Sequence, residues 1–142
     1  MKDDFFIVGS TGHSIINFRY DLIKYLKKKF KITGMSQNFD NVTHKNLKKI
    51  NVKYISYGSN NSFVTNEFLS FLNIVKFFKA KNKSQIKILS YTLRANIYVG
   101  FASIFNSKIL HYPMITGLGG IYLSKDENFI SLIRYFFFFL FT

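Results

Sequence analysis

Phe5-Phe6-Ile7-Val8-Gly9-Ser10-Thr11-Gly12-His13-Ser14-Ile15-Ile16-Asn17-Phe18-Arg19-Tyr20-Asp21-Leu22-Ile23-Lys24-Tyr25-Leu26 passes through three residue patterns in order. Phe5 to Val8 is apolar at every position, the pattern of a short strand covered on both faces. Gly9-Ser10-Thr11-Gly12-His13 breaks the run and predicts a turn. Ile15, Phe18, Leu22, Leu26 and Phe30 then step by three or four, which predicts an amphipathic helix, with Ser14 suited to its N-cap. Strand, glycine turn and helix in this order predict the first part of a βαβ unit, and so an α/β domain around a parallel sheet.

The alternation continues along the chain. Lys27-Lys28-Lys29 carries positive charge where a helix C-terminus favours it, and Lys31 to Met35 reads as a second strand. A short helix from Val42 to Ile50, a strand from Val52 to Ile55 and a loop at Gly58-Ser59-Asn60-Asn61-Ser62 follow. Thr65 is placed to cap a longer helix with Phe68, Phe71, Leu72, Val75 and Phe78 on one face. Ile86 to Ser90 predicts a strand, and Ile97, Gly100, Phe101, Ile104 and Phe105 fit the face of another helix, with Gly100 allowing close approach to the sheet. Lys108 to Tyr112 is a fifth strand, ended by the only proline, Pro113, before the glycine-rich Thr116-Gly117-Leu118-Gly119-Gly120.

The 142 residues suffice for one domain with a hydrophobic core. Hydrophobic residues make up 48% and aromatic ones 19%, which excludes a disordered chain. The absence of cysteine removes disulfides and thiolate metal sites, and predicts a reducing compartment. Asp3 and Asp4 stand where an export signal would carry positive charge, so the cytoplasm is expected. Twenty Lys and Arg against seven Asp and Glu give a net charge of +13, which favours an anionic membrane surface or nucleic acid as partner. Lys, Asn, Ile and Phe are abundant together, as AT-rich coding produces, so solvated surface accounts for the lysines equally well. The stretch from Phe129 to Thr142 is apolar nearly all round and shorter than the ~20 residues of a membrane span; a buried helix, an interfacial helix and a truncated span are its three readings.

Ligands of parallel α/β sheets bind beyond the carboxyl ends of the strands, where loops converge and helix N-termini point outward. Both glycine-rich loops are expected there, either approaching a phosphate or sugar closely or simply making tight turns. The first is G-x-x-G, which satisfies neither the G-x-G-x-x-G dinucleotide fingerprint nor the P-loop. His13, His44 and His111 lack metal-ligand spacing, and His111 reads as a structural residue within a strand. The acids offer no spaced pair of the glycosidase kind, and there is no G-x-S-x-G elbow.

Gly12-His13-Ser14-Ile15-Ile16-Asn17-Phe18-Arg19 with the helix to Leu26 resembles the opening of bacterial family-4 glycosyltransferases of the GT-B fold. Arg94-Ala95-Asn96-Ile97-Tyr98-Val99-Gly100 is similar to that family's Lys-Pro-Asn-Ile-Tyr-Gly segment, and Thr116-Gly117-Leu118-Gly119 to its Thr-Gly-Leu-Gly loop. The three occur in the family's order and spacing across about the whole chain. Leu89 stands where many relatives carry a histidine, and Ala95 replaces the usual proline.

The resemblance implies a Rossmann-like three-layer α/β/α domain with a mainly parallel sheet, the N-terminal, acceptor-side half of a GT-B enzyme, without the donor-binding half. It implies retaining, metal-independent transfer of a sugar from a nucleotide-sugar donor to a saccharide, lipid-linked in the family, for surface polysaccharide or glycoconjugate synthesis, with no further cofactor. The implied substrate-binding residues are Thr11, Gly12, His13, Asn17, Arg19, Arg94, Asn96, Thr116, Gly117 and Gly119. For Arg19 an ion-pair role is the alternative, and for Asn96 a helix cap. A peripheral position at the inner face of the cytoplasmic membrane would follow, with no nucleic acid as partner. The alternatives are a basic module that binds nucleic acid or an anionic membrane without catalysis, and half of a sugar-nucleotide epimerase or oxidoreductase.

Overall fold

Five strands and four helices alternate along the chain in a computed structural model that describes residues 2–58, 63–81 and 85–116. They are β1 (Asp4–Val8), α1 (Gly12–Leu26), β2 (Lys31–Ser36), α2 (Asn41–Lys49), β3 (Lys53–Ser56), α3 (Phe63–Lys79), β4 (Ile86–Tyr91), α4 (Leu93–Phe105) and β5 (Ile109–Met114). The strands form one sheet in the order β3-β2-β1-β4-β5, and every pairing is parallel. The Rossmann-like three-layer α/β arrangement expected from the sequence is present. The Gly117 and Gly119 loop, positions 59–62 and the apolar stretch 129–142 lie outside the described residues.

β1 is central, which explains its unbroken apolar run. Phe5 and Ile7 face one layer, with Ile15 and Ile23 of α1, Leu47 of α2 and Tyr54 of β3. Phe6 and Val8 face the other, with Ile74 and Phe78 of α3 and Val99 and Ala102 of α4. Ile7 and Val8 are wholly buried on opposite faces of one strand, so both layers depend on it.

Helix ends and faces differ from expectation in four places. Thr11, in extended conformation, is the N-cap of α1: its hydroxyl accepts from the Ser14 N–H at 3.4 Å, so Ser14 is the capped residue, and its Oγ donates to the Thr11 carbonyl at 2.8 Å. α3 starts at Phe63, which puts Thr65 inside the helix, and its buried row is Ser70, Ile74 and Phe78 while Phe68 is exposed. That helix is apolar on several sides, so periodicity did not single out the covered side. α4 buries Ala95, Tyr98, Val99, Gly100 and Ala102, leaving Ile104 and Phe105 exposed at its end. Ala95, Gly100 and Ala102 let α4 lie close on the sheet beside the buried Tyr98 and Val99, while Ile104 and Phe105 at its end stay exposed. Pro113 lies within β5 because a strand at the flank of the sheet can spare a backbone donor. Among the described residues no helix is long and apolar enough to cross a membrane.

Candidate functional site

The strand order reverses between β1 and β4, so α1 and α4 leave neighbouring strands toward opposite layers and open a crevice at the carboxyl edge. One lip is the β1–α1 connection, only Gly9, Ser10 and Thr11 long. Its backbone is spent on β2 and β3: Gly9 N–H donates to Met35 O at 2.9 Å, Gln37 N–H to Ser10 O at 3.2 Å, and the buried Tyr57 hydroxyl to Gly9 O at 2.9 Å. Burial drives the Tyr57 phenol far up from its usual pKa, which keeps it a neutral donor.

Both glycines are fixed by packing. A Cβ on Gly12 would lie 2.5 Å from the Tyr54 hydroxyl and 2.8 Å from the Asp40 Cβ, and one on Gly9 would collide with the Tyr91 ring. Gly12 is itself buried, the first residue of α1 wedged against β3 and the start of α2. There Asp40 caps α2, and its carboxyl is held below the usual range mainly by the Thr43 hydroxyl.

The other lip is Thr92, between β4 and α4. Its backbone has φ 77 and ψ 140, a region that a β-branched side chain avoids at a cost of roughly 1–3 kcal/mol. Thr92 Oγ1 lies 2.7 Å from Ser10 Oγ, joining the two lips across the switch point. Next to it the Tyr91 hydroxyl is 3.0 Å from Ser14 Oγ, and burial pushes that phenol up to about 12. The Arg19 guanidinium stands over the Tyr91 ring, 4.7 Å from its centroid, and Nη2 reaches Met114 Sδ at 3.1 Å. The Arg19 Nε is buried with no hydrogen-bond partner.

Two polar networks support the lips. In the first, Glu67 accepts from Arg94 Nη1 at 2.9 Å, from Gln37 Nε2 at 2.9 Å and from the Tyr98 hydroxyl at 2.5 Å. Arg94 also donates to Gln37 Oε1, and Gln37 Nε2 to Ser70 Oγ at 3.2 Å, which ties the end of β2 to α3 and α4. Desolvation, and then the bond to Glu67, raise the Tyr98 pKa. In the second, Ser90 Oγ donates to Asn96 Oδ1 at 2.6 Å while Asn96 Nδ2 donates to Met114 O at 3.2 Å, clamping the ends of β4 and β5 together. His111 Nε2 is 2.6 Å from the same Ser90 oxygen. With the serine proton committed to Asn96, the imidazole is the donor, opposite in polarity to a nucleophile and its base. Burial lowers the His111 pKa to about 4, so the ring is neutral.

Apart from the packed Gly12, the described residues implied by the resemblance divide into four groups. Thr11, Arg19 and Asn96 lie at or beneath the crevice, and Asn96 acts as a strand clamp rather than as the cap, which is at Thr92. Arg94 is beside the crevice, but its guanidinium is engaged by Glu67 and Gln37. His13 and Asn17 project from the exposed side of α1, where Asn17 Nδ2 is 3.0 Å from His13 Nε2. Thr116 is exposed just past β5. Sequence reasoning missed Ser10, Thr92, Gln37 and Glu67. Glu67 had one available signal, as the only carboxylate on a largely apolar helix; Thr92 had none, because threonine does not advertise a positive φ.

Among the described residues no three His, Asp or Glu side chains group in a way that would hold a metal ion. No protein-family model matches the chain, and no curated protein matches it in sequence.

Proposed function

We propose that this domain is the acceptor-side Rossmann-like half of a two-domain glycosyltransferase that transfers a sugar from a nucleotide-sugar to a saccharide, lipid-linked in the reading favoured by the sequence. The observation that carries the reading is convergence. Segments of family-like sequence around Gly12–Arg19, Arg94–Asn96 and Thr116 are far apart in the chain, yet all start at the carboxyl edge of the sheet, the first two in the N-terminal parts of α1 and α4 and the third just past β5. The lips between them present the hydroxyls of Ser10, Thr11 and Thr92, groups that donate to and accept from a polyol without carrying charge.

In this reading the sugar lies over the Ser10–Thr92 contact and the donor diphosphate faces a second domain across the cleft. A nicotinamide-binding reading has less support. A ribose-binding acid is expected near the end of β2; Gln37 follows that strand, already held by Arg94, and the acid that comes next, Asp40, is engaged in capping α2.

The test is an NMR titration of the isotope-labelled chain with surface-polysaccharide fragments, nucleotide-sugars and NAD. Saccharide-dependent shifts at Ser10, Thr11 and Thr92, lost in Ser10→Val, are expected. Shifts at these residues with NAD and not with saccharides would reject the reading.

A further inference from the structure

In a parallel sheet with crossover helices, strands begin and helices end at the same edge, opposite the crevice. Every described lysine except Lys45 sits in the last turn of a helix, at the first or second position of a strand, or in a segment leading into a strand. Lys28 and Lys29 follow α1, Lys48 and Lys49 close α2, Lys79 closes α3 and Lys108 precedes β5; all six are exposed. The described acids at or near this edge are Asp3 and Asp4, paired with Lys87 at 2.9 Å and Lys31 at 3.9 Å, and Asp21, 4.0 Å from Lys24 in the last turn of α1. Asp40 and Glu67 belong to the other edge, as does Arg94.

Large apolar side chains are exposed among these cations. Tyr25 lies in the last turn of α1, and Ile104 and Phe105 end α4 shortly before Lys108. Cationic stems around protruding apolar tips are what a headgroup layer accommodates: the tips enter the acyl boundary while the ammonium groups stay with the phosphates. Nucleic acid fits less well, because among the described residues the edge offers lysine point charges and no arginine fork.

We propose that the amino edge of the sheet docks on an anionic lipid bilayer. The proposal does not depend on sugar transfer. If both hold, the crevice faces away from the membrane at a height of about one strand, roughly 20 Å. A lipid-linked glycan of several sugars spans that gap, whereas a single lipid-linked sugar does not.

The test is co-sedimentation of the full chain with vesicles of phosphatidylcholine alone or mixed with phosphatidylglycerol. Binding to the mixed vesicles only, weakening steeply with salt, is expected. An anionic surface attracts each nearby lysine enough for about a fivefold gain, so combining Lys28→Glu, Lys29→Glu, Lys48→Glu and Lys49→Glu should weaken binding at least a hundredfold. Arginine at the same four positions should retain it. Ile104→Ser with Phe105→Ser should weaken it several-fold and leave the salt dependence unchanged. Circular dichroism checks folding, and Lys28→Gln with Lys29→Gln, in an exposed turn, should still lose about 25-fold if the fourfold variant does not fold. Equal binding to both vesicle types, undiminished binding of the folded lysine variants, or stronger binding to duplex DNA than to the mixed vesicles would each overturn the proposal.

Discussion

The two lips of the crevice reach similar closeness by opposite means. The β1–α1 lip has glycines at both ends, and each is there because a neighbouring side chain occupies the space a Cβ needs. The β4–α4 lip has no glycine, yet its central residue, Thr92, adopts the positive φ that glycine would take without strain. Glycine in this domain marks crowding, and strain is stored at a threonine that keeps its hydroxyl against Ser10.

The largest expected effect that sharpens the contrast is at the crowded lip. Gly12→Ala should lower the unfolding free energy by about 3 kcal/mol in urea titrations, because the Tyr54 ring, the Asp40 stem and Thr43 leave no room for a methyl group. Gly9→Ala should cost a similar amount and much less in a Tyr91→Leu background, since all its nearest obstacles are atoms of the Tyr91 side chain. A cost that does not change in that background would break the crowding account.

Beneath the other lip, His111 should make stability depend on pH. Its folded pKa is about 4 against an ordinary value of 6.5, so the unfolded chain binds the proton first as pH falls. Nothing is lost above pH 6.5. Between there and about pH 4 the fold should lose roughly 2 kcal/mol, after allowance for the ring's partial exposure, and His111→Gln should flatten the profile.

Smaller and opposite in sign is Thr92→Gly, which should stabilise the fold by about 1 kcal/mol, the relieved strain exceeding the added chain entropy and the lost Ser10 contact. Destabilisation by this change would mean that the strain is not there. Tyr91→Phe, which removes only the contact with Ser14, should cost about 0.5–1 kcal/mol.

How legible the domain was follows from where its signals were local. The strands and helices were readable because β1 is covered on both faces and because glycine, proline and charge punctuate the rest. The faces of α3 and α4 were not. Phe68, Ile104 and Phe105 extend a helical apolar pattern but stay exposed, while Ser70 and Ala95 take the covered places. At the carboxyl edge, Thr11 in the first connection and Arg19 within α1 were singled out by the resemblance. Glu67 and Gln37, which decide where Arg94 points, meet it only through the tertiary fold. Similarly, Ser90, Asn96 and His111 show no motif, because their contact depends on β4 and β5 lying side by side.

Pro113 has a consequence for how copies of this domain treat one another. A sheet that ends in a strand offers a row of backbone groups to any extended segment that comes near, and pairing of that kind is a route to aggregation. At one side of the described sheet β3 is only four residues long. At the other, the ring of Pro113 takes one donor out of β5, so a foreign strand meets an interrupted row on that flank and a short one on the opposite flank.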